Sequence, residues 1–230
     1  METSILNQIR KKAVRIIEPR LLKGGSVLDV RRWADGATVE IDLHLPAINM
    51  AAWRDVPYIK LSVGDLCFRD YSPFGWDADT STCSLLVDIA HNGPGSKWAR
   101  HLKAGDQLNY LKIDGTRQAP HPTNLVVGLG DCSSMAHLLA LQQLTLPNSR
   151  FDGAVVITGQ QTGELFKEYF KTPLKITANQ NEMVNWLTNQ NYCIAHTSFY
   201  LTGNHRFAGD MRKLLKSLGY HNIRLQGFWS

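Results

Sequence analysis

The segment Arg69-Asp70-Tyr71-Ser72-Pro73 puts a guanidinium, a phenol ring and a hydroxyl within four residues at the end of a β-like run. Side chains alternate along a strand, so Arg69 and Tyr71 fall on one side of it. A cation for a diphosphate beside an aromatic face for a flat ring suits a flavin nucleotide. An exposed strand end with a surface ion pair is the plainer reading of the same residues. Farther on, His91-Asn92-Gly93-Pro94-Gly95-Ser96-Lys97-Trp98-Ala99 runs from a strand into a glycine-rich turn. Ser96 is placed to cap a helix over 97–102. A helix start offers free N–H groups and a positive dipole end, which is a place for phosphate.

Three further turns follow compact apolar runs: Gly128-Leu129-Gly130-Asp131, Thr158-Gly159-Gln160 and Thr202-Gly203-Asn204. Glycine lets a phosphate approach the backbone. Gly128-x-Gly130 lacks the third glycine of the dinucleotide fingerprint, so ligand-free tight turns explain these residues equally well. The turn at 158–161 has no acidic residue for a ribose hydroxyl and no nearby arginine for a 2′-phosphate, which leaves NADH and NADPH undistinguished. Cys132 opens an expected helix, where a dipole lowers a thiol's pKa; a small residue filling a tight turn is the simpler role. Cys67, Cys83, Cys132 and Cys193 are far apart, and no His-x-x-x-His or His/Cys cluster occurs. No metal site is expected, and reduced thiols in the cytoplasm are.

The elements that must position these residues divide into two textures. Ile5, Ile9, Ala13 and Ile16/Ile17 recur at helical spacing, with Arg10, Lys11, Lys12 and Arg15 on what reads as a solvated face. Six β-like runs follow, at 26–33, 37–44, 57–63, 66–71, 84–91 and 107–113, punctuated by Gly and Pro turns. They predict an antiparallel barrel or sandwich. After the polar stretch 114–124 the rhythm becomes strand–helix: 125–128 then 133–144, 154–157 then 161–170, 174–177 then 181–190, 198–202 then 205–217, and a last strand at 223–228. That alternation predicts a parallel sheet with helices on both faces. The domain boundary falls near 118, giving 1–118 and 119–230.

Bulk properties agree with two soluble domains. The chain has 230 residues, 43% hydrophobic and 20% charged, which excludes disorder, collagen and coiled coil. A net charge of +5 and a pI near 9.0 favour anionic partners. No stripe of interleaved basic and aromatic residues accompanies that charge, so nucleic acid is not expected. No apolar run approaches the ~20 residues of a membrane helix, and the N-terminus lacks a signal pattern, so no stable membrane insertion is expected.

Taken in order over about residues 25–230, these segments resemble the siderophore-interacting proteins, ferric-siderophore reductases of the ferredoxin–NADP⁺ reductase superfamily. Arg69-x-Tyr71-Ser72 is similar to the superfamily's Arg-x-Tyr-Ser/Thr flavin motif. His91-x-Gly93-Pro94-Gly95-Ser96-x-Trp98-Ala99, followed by Gly105-Asp106, resembles the family's His-Gly…Gly-Pro-Ala-Ser-x-Trp-Ala…Pro-Gly-Asp. Leu129-Gly130-Asp131 resembles its Ala-Gly-Asp turn, and Gly227-Phe228-Trp229 its terminal Gly-Tyr-Trp.

The resemblance implies a six-stranded antiparallel FAD-binding β-barrel followed by a parallel-sheet α/β NAD(P)H-binding domain. It assigns Arg69, Tyr71, Ser72, His91, Gly93, Gly95, Ser96, Trp98 and Trp229 to FAD. Gly128, Gly130, Asp131, Thr202, Gly203 and Asn204 go to NADPH or NADH. Electrons would pass from nicotinamide through flavin to a ferric-siderophore, releasing iron as Fe²⁺, and no acid–base pair is nominated. The family's Glu-Thr-Ala-Leu-Pro after Gly-Asp is here Cys132-Ser133-Ser134-Met135-Ala136. Two alternatives accompany this reading: a flavin reductase serving a protein or quinone, and a non-enzymatic flavin-binding module.

Overall fold

The computed structural model describes residues 22–33, 36–64, 67–158 and 160–229. The expected helix over 5–17 lies outside the described residues. Seven strands form an antiparallel sheet: β1 (Lys23–Arg32), β2 (Thr38–His44), β3 (Pro57–Gly64), β4 (Cys67–Tyr71), β5 (Phe74–Asp77), β6 (Thr82–Asp88) and β7 (Gln107–Gly115). Their order is β4-β3-β7-β1-β2-β6-β5. All six expected strands are present, and Phe74–Asp77 adds a short seventh against β6.

Alternation builds this sheet. Val39, Ile41 and Leu43 of β2 are fully buried, as are Ile59 and Leu61 of β3 and Leu85 of β6. They meet Leu108 and Tyr110 of β7 in one apolar cluster, so the sheet curls around its own core. Helix α1 (Pro94–His101) packs against β3 and β6. Its Ala99 is wholly buried in the cluster and Trp98 packs on the cluster half-buried.

Residues 116–124 lead into the second sheet: β8 (Leu125–Asp131), β9 (Phe151–Val156), β10 (Lys175–Thr177), β11 (Thr197–Asn204) and β12 (Ile223–Trp229). Every pairing in it is parallel, in the order β10-β9-β8-β11-β12. Helices α2 (Met135–Thr145), α3 (Gln160–Phe170), α4 (Gln180–Thr188) and α5 (His205–Ser217) alternate with the strands. The order reverses between β8 and β11, and such switch points open a crevice beyond the carboxyl ends of the strands.

The two sheets share packing. Val56 and Phe74 join the cluster built from α2, β8, β9 and α3. The Gln143 amide donates to the Trp76 carbonyl at 2.8 Å, and Trp33 meets Phe170 at 5.6 Å. The connection is tied at both ends: Thr116 bonds through its N–H and hydroxyl to Val56 O, and Tyr200 Oη donates to Ala119 O at 2.8 Å. No described helix is long and apolar enough to cross a membrane.

Candidate functional site

On the first sheet, Arg69, Tyr71 and the start of α1 converge on Gly95. A Cβ on Gly95 would collide with the Tyr71 hydroxyl and lie 3.5 Å from Arg69 Cγ. Tyr71 stacks on Trp98 at 6.1 Å with 27° between the planes. Burial pushes the Tyr71 phenol up to about 12, against the lowering influence of the Arg69 charge, so the ring is neutral at physiological pH. One Arg69 amino group donates to Phe68 O at 2.7 Å. A guanidinium has five N–H donors, so that bond leaves most of the fork uncommitted.

The helix here starts earlier than the sequence predicts. Gly93 is the N-cap, Pro94 opens the first turn, and among the described residues no side chain caps it. Proline fits there because its missing N–H would have had no intrahelical partner. Ser96 therefore does not cap a helix over 97–102: it lies inside the first turn, buried, and its hydroxyl donates to Asp88 O at 2.7 Å. The first-turn amides of Gly95 and Ser96 face out from the helix end without an intrahelical acceptor. His91 stands out in solvent, 77% exposed, 3.3 Å from an Asp88 oxygen.

Arg100 shapes this turn and escaped the sequence reading. Its guanidinium donates to the carbonyls of Ile89 and His91 and to Asn92 Oδ1, gathering 89–92 onto the last turn of α1. The only sequence signal is its position eight residues after Asn92, which reads as an ordinary surface helix.

At the switch point, the expected nucleotide turns are held by their own side chains. Asp131 Oδ1 accepts from Ser133 N at 3.0 Å, Ser133 Oγ at 2.5 Å and Ser134 Oγ at 3.3 Å; Oδ2 accepts from Asn204 N at 2.7 Å. A carboxylate of this chain thus sits on the short helical turn 132–134 that precedes α2 and ties β8 to β11. Gly203, at φ +113°, leaves room for that carboxylate: a Cβ would fall 2.6 Å from it. Asn204 caps α5, its Oδ1 accepting from Arg206 N and Phe207 N at 2.8 and 3.2 Å.

Gly128 and Gly130 serve close packing of α2 on β8. Added Cβ atoms would meet Leu138 at 2.7 Å and Ser134 at 2.6 Å. The hydroxyl of fully buried Thr202 has no partner among the described residues. The backbone of Trp229 pairs opposite Asn204 at the end of β12, which puts the C-terminal strand at this crevice; its side chain and Gly159 lie outside the described residues. The Cys132 thiol is raised, by burial first and then by Asp131 and Asp88, so the helix dipole does not lower it and the simpler role of a small residue in a tight turn is favoured.

Ser72 joins the two halves. Its Oγ lies 3.3 Å from Nδ1 of His137 on α2, whose Nε2 lies 2.7 Å from Oε1 of Gln118 in the connection. Phe228 of β12 sets its ring against His137 at 5.3 Å. No sequence pattern marks His137, which falls in the first turn of α2 between Ala136 and Leu138.

The sequence matches no protein-family model and no curated protein. Among solved structures, a siderophore-interacting protein from Acinetobacter baumannii is similar at 13% identity, covering 90% of both chains with a TM-score of 0.68. A siderophore utilization protein from T. fusca is similar at 17% identity over 91% of this chain and 93% of that one, TM-score 0.66. A ferredoxin NADP⁺ reductase from Neisseria gonorrhoeae, solved with bound FAD and NADP, is similar at 14% identity over 90% and 98%, TM-score 0.71. The chain has the two-domain fold of these reductases and siderophore-interacting proteins.

Proposed function

We propose that this chain is a flavoprotein oxidoreductase that binds FAD, takes reducing equivalents from NADPH or NADH, and passes electrons to a ferric-siderophore, releasing iron as Fe²⁺. One observation carries it: Arg69, the Tyr71–Trp98 ring pair and the uncapped start of α1 meet at Gly95. Such a cofactor fits these residues. The uncapped helix start and the adjacent arginine make a diphosphate site, and the tyrosine offers a flat ring a stacking face.

When bound, the flavin supplies the redox chemistry that no side chain here provides. Arg69 and the first-turn amides of Gly95 and Ser96 hold the diphosphate. Gly93 leaves the backbone open to it, and His91 lies at the rim. Tyr71 orients the ring, with Trp98 packed behind. Ser72 marks the seam where the first sheet meets the carboxyl edge of the second. On that edge Gly128, Gly130, Asp131, Gly203 and Asn204 frame the pyridine nucleotide's crevice, with Thr202 buried beneath its nicotinamide end. Phe228 and the backbone end of β12 at Trp229 close the same edge.

Three features support a ferric-siderophore as acceptor. The fold likeness to siderophore-interacting proteins runs over nearly all of both chains. The sequence segments around Arg69, His91 and Gly227 fall in that family's order. A net charge of +5 draws acidic ferric complexes and phosphorylated cofactors. A boundary near 118 would separate the flavin part from the nucleotide part, and four free cysteines suit a reducing cytoplasm.

Asp131 favours a second reading. Its carboxylate already occupies the helix start at 132–134, where a bound pyrophosphate would sit, which suits a module that holds flavin without using pyridine nucleotide. Anaerobic addition of NADH or NADPH to the FAD-loaded protein separates the two. Bleaching of the flavin absorbance, followed by reoxidation with a ferric-siderophore, is the result expected. Flavin that stays oxidised with both nucleotides overturns the reductase.

A further inference from the structure

Ser72 and His137 are joined by a bond whose direction is fixed from behind. Gln118 is 2% exposed and His137 1% exposed. The Gln118 amide nitrogen lies 3.5 Å from Leu201 O, an atom that can only accept. The amide oxygen therefore faces His137 Nε2 at 2.7 Å and accepts from it. Burial holds His137 down to about 3, so the ring is neutral and carries one N–H. With that hydrogen on Nε2, Nδ1 has a lone pair, and the bond at 3.3 Å must be Ser72 Oγ–H donating to Nδ1.

A serine hydroxyl has one hydrogen and two acceptor lone pairs. The chain Leu201–Gln118–His137 takes that hydrogen into the protein. We propose that His137 is a positioning residue that makes Ser72 a committed hydrogen-bond acceptor toward the flavin ring, favouring the reduced ring, whose central nitrogen carries N–H, over the oxidised ring, whose central nitrogen is itself an acceptor. The inference rests on the flavin reading above. Ser72 lies on the seam between the two sheets, bonded to His137 in the first turn of α2; in the flavin reading, the ring edge it meets there is the edge that receives reducing equivalents.

A structural role for His137 would change melting and leave the flavin's redox balance alone. The committed-acceptor role changes that balance in a set pattern. In Ser72→Ala the acceptor is gone, and binding of reduced relative to oxidised FAD falls about tenfold, which is about 30 mV for a two-electron couple. In His137→Phe the freed Ser72 hydroxyl donates to the oxidised ring while still accepting from the reduced one, and the ratio falls to about that of Ser72→Ala. In the double variant no hydroxyl remains, and the ratio is again that of Ser72→Ala rather than the sum of the two losses.

The test is an anaerobic spectroelectrochemical titration of FAD-loaded wild type, both single variants and the double variant. Equal midpoint potentials in wild type and Ser72→Ala overturn the proposal, as does an additive double variant. Nitrogen NMR of His137 in the cofactor-free protein supplies an arm that needs no buried variant to fold. A neutral ring protonated at Nε2 is expected, and one protonated at Nδ1 overturns the proposal. A chain that binds no FAD removes the flavin reading and this inference together; FAD binding with unchanged potentials removes the inference alone.

Discussion

Gly95 and Tyr71 are packed so closely that the glycine's missing Cβ is the space the tyrosine hydroxyl occupies. The contact joins the end of β4 to the first turn of α1, the two places where the proposed cofactor would be gripped. Gly95→Ala must therefore displace the Tyr71 ring, the helix start, or both. An added methyl in a tight contact costs about 1–3 kcal/mol. We expect a modest drop in melting temperature and a loss of FAD affinity of at least about tenfold. Fluorescence titration with FAD measures the second, and an unchanged affinity would separate Gly95 from the cofactor.

Arg69→Ala tests the charge rather than the packing. Its side chain is exposed and its one bond among the described residues is to its neighbour's carbonyl, so the fold should survive. Charge-assisted hydrogen bonds to a diphosphate are worth about 1.5–3 kcal/mol, or roughly ten- to a hundredfold in affinity. The same argument sets the order of cofactors. Arg69 and the α1 start together reward two phosphates, so FAD should bind more tightly than FMN, and Arg69→Ala should narrow the gap. Equal affinities for FAD and FMN in the wild type would contradict the diphosphate assignment.

What could be read from the sequence follows from how local each signal is. Strand alternation at Val39, Ile41 and Leu43, and the strand–helix rhythm after 124, depend on neighbouring residues, and both sheets appear where they predict. Helix α5 begins at His205 and ends at Ser217, the expected bounds, because Asn204 is an unambiguous cap. The strand Phe74–Asp77 was missed because four residues beside Pro73 carry too short a pattern. Ser96 was misread as a cap because Gly93-Pro94 starts the helix a turn earlier, and its hydroxyl goes to Asp88 O instead. Most of the site's polar order is long-range. The bond from Ser72 to His137 spans 65 residues and that from Asn204 to Asp131 spans 73, and no spacing rule reaches so far.

Buried His137 makes stability depend on pH in a window the carboxylates leave clear. Its folded pKa lies at about 3, lowered from 6.5 by burial. Below 6.5 the unfolded chain takes up a proton that the folded chain refuses until about pH 3. Its contribution is therefore full above pH 6.5 and is lost progressively as pH falls toward 3. Near pH 5, one proton bound only on unfolding gives a slope of about 1.4 kcal/mol per pH unit. Urea denaturation between pH 5 and 7 measures it, and His137→Phe should flatten the curve. A curve of the same slope in the variant would assign the dependence to other groups.

Asp131 is the strongest test of how the crevice is framed, because four hydrogen bonds end on its two oxygens. Two come from backbone amides, Ser133 N at the helical turn and Asn204 N on the neighbouring strand. Removing the carboxylate leaves both donors seeking a partner, and losing a cap alone costs about 0.5–2 kcal/mol. Asp131→Ala should lower stability by about 2–3 kcal/mol and loosen the turn at Gly203, whose φ of +113° is shaped around that side chain. Asp131→Asn keeps one acceptor oxygen and should fall between the two. The variants also separate frame from rival. If the carboxylate merely braces the turns, both weaken pyridine nucleotide binding in step with the stability lost. If it occupies the anion's place, Asp131→Asn tightens NADPH or NADH binding while stability falls, and the sign of that change in a binding titration decides which role Asp131 has.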